Sequence, residues 1–428
     1  MTASLPPRPV RTALIGLSSS PTGYGWLNHF HLPAIQKHAA DFQIVAVLGS
    51  SLANAQKAIA KHNLPSMVRA YGAPEDLARD EEVDFLVVGV KAPLHRTVLM
   101  PSLLSKRLKG IFVEWPIDCS FAKAEEIVCL AREQGLRTAV GLQGRFSAIT
   151  QRISQLVRSG RLGRILSTTA VGTVPTGDGK SEKRSSQYAL DPANGATMVD
   201  VHLAHFIECL TFALDADVAT VSGQVKTMHP TTNIVDDVTG KIVERDAPKK
   251  SPDQVLVQGM LKSKSKSRSK PGPKLRQPRD GGENDDDNNN NNNNIVYSIH
   301  MRGGNSISSG MTWLIYGTNG EMEITTPLRM IPHINLPIPW KIRMKIEGEG
   351  EGQGRRIGEV VEEEEVSEQE TGQPAVDRLW DVFVRGGQEG EGEGEGPWAW
   401  PDFEHGLNIH RAIDAVWTSN RDGKVVEL

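Results

Sequence analysis

Over the first 145 residues, short solid apolar runs alternate with stretches of helical period. The runs are RTALIGL (11–17), FQIVAVL (42–48), VDFLVVGV (83–90), GIFVE (110–114) and RTAVGL (137–142). Each has the length of a strand, and continuous apolar character suits strands buried on both faces of a parallel sheet. Between them, 27–39, 52–62, 75–80, 94–107 and 121–134 read as helices. In the last of these, Phe121, Ala124, Ile127, Val128 and Ala131 share one face. Strand and helix in alternation predict a doubly wound α/β domain over 11–145, preceded by a ten-residue tail.

The texture changes after Gly144. Helical spacing is found at 148–159 and within 195–214, and the runs 164–173, 217–228, 295–302 and 312–325 alternate apolar with polar residues. Alternation predicts a sheet with one face covered by helices and one left open, so 146–428 is expected to be an α+β domain. Two insertions, 262–294 and 347–396, carry KSKSKSRSK, a long Asn tract and Glu/Gly repeats. Their apolar content is too low to offset the entropy of ordering, and both are expected to be disordered.

Charge and cysteine content narrow the class. A formal net charge of −4 over 428 residues excludes bulk attraction to nucleic acid; only the basic run at 262–270 offers a local patch. Cys119, Cys129 and Cys209 are spaced for neither a disulfide framework nor a zinc site, so a reducing compartment and no metal are expected. The N-terminus has no signal-peptide core and no apolar run of membrane-spanning length was found, which predicts a cytoplasmic location, with the nucleus as alternative.

Chemistry concentrates at the carboxyl ends of the first-domain strands. Gly16, Leu17, Gly23, Gly25 and Trp26 occupy the turn from the first strand to the first helix, where bare backbone N–H groups meet a dinucleotide pyrophosphate in a Rossmann-type fold. The second strand ends in Gly49, Ser50 and Ser51, with no acid to hold a ribose 2′-hydroxyl. Without that carboxylate a 2′-phosphate is not repelled, and Ser50, Ser51 and Lys57 can bind it, which favours NADP over NAD. The fourth strand leads into Lys91 and His95 and the fifth into Glu114 and Trp115. Gln143 and Arg145 follow the last strand. Arg145 suits either a substrate anion or a salt bridge between domains. Tyr188 is a further pocket candidate.

With IGL (15–17), HLPAI (31–35), APLH (92–95), FVEWP (112–116), VGLQGRFS (140–147) and DFEHGLNIHRAIDAVWTS (402–419), the sequence resembles the glucose-fructose oxidoreductase/inositol dehydrogenase family. FVEWP and GLQGR are similar to its branch that includes the fungal galactose-pathway repressor. The resemblance implies a Rossmann domain followed by a large, mainly antiparallel open sheet that shapes a substrate pocket and pairs subunits. It also implies hydride transfer between nicotinamide and a sugar, polyol or related carbonyl.

Two departures bear on catalysis. Where the family has Glu-Lys-Pro, this chain has Trp115 in place of the lysine. The family's Asp four residues before a His is matched by Val201 when His205 takes the histidine's place. Asp200 stands one position away, about 100° around an α-helix. If chemistry persists, His205 is the expected proton-transfer residue, with Asp200 and Lys91 beside it and Arg145, Tyr188 and His202 toward a small-molecule substrate. The alternative is a non-catalytic NAD(P)-binding regulator with a protein partner, Trp115 then packing on the nicotinamide.

Overall fold

The computed structural model describes residues 9–20, 25–174, 177–264, 294–304, 310–327, 332, 339–346, 360–367, 373–386 and 399–428. Six parallel strands form the first sheet: β1 (Val10–Ile15), β2 (Phe42–Leu48), β3 (Arg69–Tyr71), β4 (Phe85–Val88), β5 (Gly110–Val113) and β6 (Arg137–Val140). Their order is β3-β2-β1-β4-β5-β6, the doubly wound arrangement with its switch point beside β1. The predicted runs account for five of them. Strand β3 has only three half-buried residues and no apolar run to announce it.

The crossovers are helical: a π turn (Leu27–His31) running into α1 (Leu32–Lys37), then α2 (Leu52–Lys61), α3 (Pro74–Ala78), α4 (His95–Leu104) and α5 (Phe121–Glu133). Ser51 caps α2, its hydroxyl accepting from the Asn54 N–H at 3.2 Å.

The second domain begins with α6 (Ala148–Arg158), capped by Ser147, and β7 (Ile165–Val174). A small sheet holds β8 (Ser181–Lys183), paired with β10 (Thr231–Val235) and it with β11 (Ile242–Pro248). Helix α7 (Ala204–Leu214) leads into β9 (Ala216–Lys226). The large sheet continues with β12 (Gln254–Ser263), β13 (Asn294–Gly303), β14 (Met311–Gly317), β15 (Gly320–Thr326), β16 (Trp340–Ile346) and β17 (Val360–Val366). After helices α8 (Ala375–Val384) and α9 (Phe403–Asp422), β18 (Val426–Glu427) pairs at its edge. The order is β17-β16-β15-β14-β7-β13-β12-β9-β18, antiparallel except where β7 meets β13.

Three expectations change. The tract placed in the 347–396 insertion holds an edge strand and a helix. In β17 the run VVEEEEV pairs with WKIRMKI of β16, and Arg152 on α6 forks onto Glu364 at 2.6 and 2.7 Å. The glutamates are neutralised from two sides, which a composition count does not register. Helix α8, which falls in a stretch expected to be a disordered insertion of the second domain, buries Val376, Leu379, Trp380 and Phe383 in the core of the first, against Leu14, Phe42, Phe85 and Phe112. Finally, the helical stretch Pro192–Leu214 reaches 23 residues and is apolar enough to cross a membrane; 83 % of its most apolar window is buried inside the protein, as in a core helix. Most of the basic and Asn-rich insertion lies outside the described residues.

Candidate functional site

At the carboxyl edge of the first sheet the backbone closes tightly. Gly16 has φ +99°, and a Cβ there would come within 2.6 Å of Val90 and 3.0 Å of the Gly89 carbonyl. A Cβ at Gly89 would meet Leu27 at 3.0 Å. Glycine at these two positions lets β1, β4 and the first helical turn converge, leaving a bare-backbone edge of the kind a pyrophosphate needs. The loop after Gly16 is pinned from outside its own sequence. The Ser18 N–H donates to Asn28 Oδ1 at 2.9 Å, His62 Nε2 lies 3.1 Å from the Ser18 carbonyl, and the Lys61 ammonium donates to the Ser20 carbonyl. Asn28, Lys61 and His62 were missed in the sequence, where nothing ties the end of α2 to this turn. Lys61 brings positive charge to the phosphate end.

The other predicted cofactor residues divide. Gly25 opens the helix, its carbonyl accepting from the His29 N–H at 3.1 Å, and Gly23 lies outside the described residues. Trp26 is half-buried and packs on Phe30 at 4.3 Å. Leu17 points into the core. Ser50 accepts from the Asn54 side chain at 2.8 Å beside the Ser51 cap, so each hydroxyl oxygen accepts one bond within α2's first turn while its O–H is left to donate. Gln143 is buried at the end of β6.

His95 is a brace. It is 1 % exposed, with Nδ1 at 2.9 Å from the Pro116 carbonyl and Nε2 at 2.9 Å from the Val90 carbonyl. Desolvation lowers its pKa against the pull of these carbonyls. The neutral imidazole carries one N–H, so it donates to one of these carbonyls and packs against the other, bridging the β4 and β5 loops from a buried position.

Glu114 is held in a buried chain of donors. Trp380 Nε1 can only donate, and it lies 3.0 Å from His31 Nδ1, so that nitrogen accepts and Nε2 carries the proton given to Glu114 Oε1. Glycine at 141 makes room for the carboxylate, since a Cβ there would lie 2.5 Å from Glu114 Oε2. The partner Trp380 is 349 residues from His31, beyond any local pattern.

Trp115 turns into the interior. It is 7 % exposed, donates from Nε1 to the Asp200 carbonyl at 2.7 Å, and its ring lies 4.4 Å from that of His410. His410 in turn accepts from the Ile117 N–H at 3.2 Å.

The predicted catalytic group is divided among separate partners. The helix carrying it opens with a π turn, Val199–Leu203, in which the Leu203 N–H reaches the Met198 carbonyl five residues back at 2.9 Å. A π turn absorbs one extra residue, so positions five apart return to one face. The expected 100° offset between Asp200 and the family's aspartate position is therefore removed by the backbone. Yet Asp200 is tied elsewhere: Oδ2 accepts from Thr197 N and Oγ1 at 3.0 and 2.7 Å, and Oδ1 from Trp417 Nε1 at 3.0 Å. Burial raises its pKa. Lys91 donates to the Ser185 carbonyl at 2.6 Å and lies 4.7 Å over the Tyr188 ring. Burial pushes His202 down to about 4 and His205, which also feels His202, down to about 3. Both are neutral at pH 7, and such depressed values suit proton transfer there poorly.

Arg145 resolves to the salt bridge. Its Nε donates to Glu208 at 2.6 Å, Nη1 to the Ala399 carbonyl at 3.1 Å, and Nη2 lies 2.6 Å from His405 Nε2. With Glu208 fully buried, this fork fastens the end of the first domain to α7 and α9 and is not offered to substrate.

Residues 22–142 match the oxidoreductase family with an NAD-binding Rossmann fold, and residues 149–270 match the Gal80p C-terminal domain. The galactose/lactose metabolism regulatory protein GAL80 of Saccharomyces cerevisiae is 30 % identical over 257 residues, 59 % of this chain and 58 % of the relative. Dehydrogenase aclE of Aspergillus oryzae is 31 % identical over 229 residues, 53 % of this chain and 58 % of its own. The matched stretches thus span less than two thirds of these relatives. A crystal structure of a super-repressor mutant of Gal80p from Saccharomyces cerevisiae superposes with a TM-score of 0.75 at 23 % identity, over 98 % of this chain and 97 % of the other, and shares the fold. The chain thus pairs a first domain that matches the oxidoreductase family with an NAD-binding Rossmann fold with a second domain whose residues 149–270 match the Gal80p C-terminal domain, in line with the resemblance carried by its sequence motifs.

Proposed function

We propose that this protein binds a nicotinamide dinucleotide and acts as a regulator through a protein partner, without turning the cofactor over. The observation that carries the reading is the burial of Trp115 at the position of the family's lysine, its ring nitrogen bonded to the Asp200 backbone. A lysine there would polarise a substrate oxygen and pass a proton; an indole N–H held by a carbonyl does neither. Asp200, Lys91 and Arg145 are occupied by structural bonds as well. The likeness to the GAL80 regulators agrees with this reading.

The absence of an acid at 49–51 favours NADP over NAD. A second copy of the chain is the natural cover for the open face of the large sheet. There Val171 and Leu256 flank His300 in one row and Val296 and Tyr316 flank Ser167 in another, all four apolar side chains exposed.

A dehydrogenase is the second reading. It is favoured by the π turn that returns Asp200 and His205 to one face, and by the likeness to dehydrogenase aclE. Fluorescence titration with NADPH and NADH, followed by a turnover panel of polyols, sugars and ketones, separates the two. Saturable binding without turnover is expected. Turnover of any member would select the dehydrogenase, and failure to bind either dinucleotide would overturn both.

A further inference from the structure

Behind Trp115, the loop from β5 to α5, the turn at Gly195 and helix α9 enclose a pocket with about 290 Å³ of room. It shares Trp115 and Asp200 with the site described above, but among the described residues it draws nothing from the Gly-rich loop or from the loops after β4 and β6. Gly195, in the left-handed region at φ +59°, lets the turn close on the loop: a Cβ there would lie 2.4 Å from the Cys119 Cα. The pocket is a product of the domain junction.

Its lining has one electrostatic sign. Asp118, Asp200 and Asp414 border it with the aromatic rings of Trp115, Phe121 and Trp417, and among the described residues no lysine or arginine lines it. Asp118 is the telling group. It is 3 % exposed, and Oδ1 accepts from the Cys119 N–H at 2.6 Å. Its Oδ2, also buried, has no hydrogen-bond partner among the described residues. A buried carboxylate oxygen left without a donor is disfavoured, and a ligand that supplies one relieves it. Burial raises the Asp118 carboxyl above its ordinary range; Lys123, His95 and Arg96 oppose this only at a distance. Arg96 is itself paired with Glu126 at 2.7 Å. Aromatic faces beside carboxylates form the usual surroundings of a bound organic cation.

We propose that this pocket binds a small organic cation of the alkylammonium or guanidinium class, its N–H groups donating to Asp118 Oδ2 and its charge lying against Trp115 and Trp417. A cation answers three features together: the buried acceptor, the carboxylates and the aromatic walls. A neutral polyol would answer only the first.

Isothermal titration of the full chain with agmatine, with putrescine and with the uncharged 1,4-butanediol tests this. Saturable binding of a cation but not of the diol is expected, weakened about tenfold or more in Asp118→Asn, which keeps the shape and removes the charge. Asp414→Asn, a change at the exposed rim, is expected to weaken binding by a smaller factor and serves if the Asp118 variant does not fold. Absence of cation binding up to about 10 mM, equal binding of the diol, or wild-type affinity in the folded variants would each overturn the proposal.

Discussion

The indole nitrogen of Trp115 donates to the backbone carbonyl of Asp200 at 2.7 Å, joining the loop after β5 to the π turn of the second domain. One hydrogen bond thus links the position where the family keeps its lysine to the helix where it keeps its aspartate and histidine. The bond makes this junction a structural joint.

Trp115→Phe keeps an aromatic ring against His410 but leaves the buried Asp200 carbonyl without its donor. A loss of about 1–3 kcal/mol is expected in denaturant unfolding. An unchanged midpoint would mean that water or another donor replaces the indole.

Arg145 and Glu208 form a buried ion pair between the domains, with side-chain exposures of 9 % and 0 %. Arg145→Ala should lose about 3–5 kcal/mol, because it strands a buried carboxylate. Replacing both by Met and Leu should restore much of that loss. A double variant as unstable as the single one would show that the pair does more than neutralise itself.

Trp380 couples α8 to the first domain through stacking on Phe112 at 5.0 Å and the bond to His31. Trp380→Ala is expected to cost about 3–5 kcal/mol, as for other buried aromatic truncations. If α8 were a loosely attached appendage, chemical denaturation would register almost nothing.

Acid sensitivity follows from His205. Its folded pKa of about 3 lies below the ordinary 6.5, so between those values the unfolded chain takes up a proton that the native protein refuses. Stability is full above pH 6.5 and falls as the pH drops toward 3, by up to about 1.4 kcal/mol per pH unit from this residue. His205→Gln removes that contribution, so its melting temperature should fall less steeply than wild type between pH 7 and pH 5. Parallel profiles would show that His205 is accessible to protons in the folded state.

The sequence alone determined the doubly wound domain, because strands buried on both faces must be apolar at every position and therefore stand out. It also located the edge where Gly16, Glu114 and Trp115 gather, since a parallel sheet presents its strand ends on one side. It determined the alternating strands of the second domain by the same logic of burial on one face.

Roles that depend on partners were decided only by the tertiary structure. Arg145 could be read as an anchor for substrate or as a salt bridge until Glu208, 63 residues away, was placed beside it. His95 read as a cofactor contact because its position in a motif says nothing of the two backbone carbonyls that hold it. The glutamate run of β17 read as part of a disordered insertion because its cations come from α6 and β16. The Asp200 offset assumed an α-helical period, and only the backbone reveals the π turn that absorbs the extra residue. Burial makes strands legible because it acts on each residue where it stands. Hydrogen bonds and ion pairs need two groups, and the chain path that brings them together is a property of the whole fold.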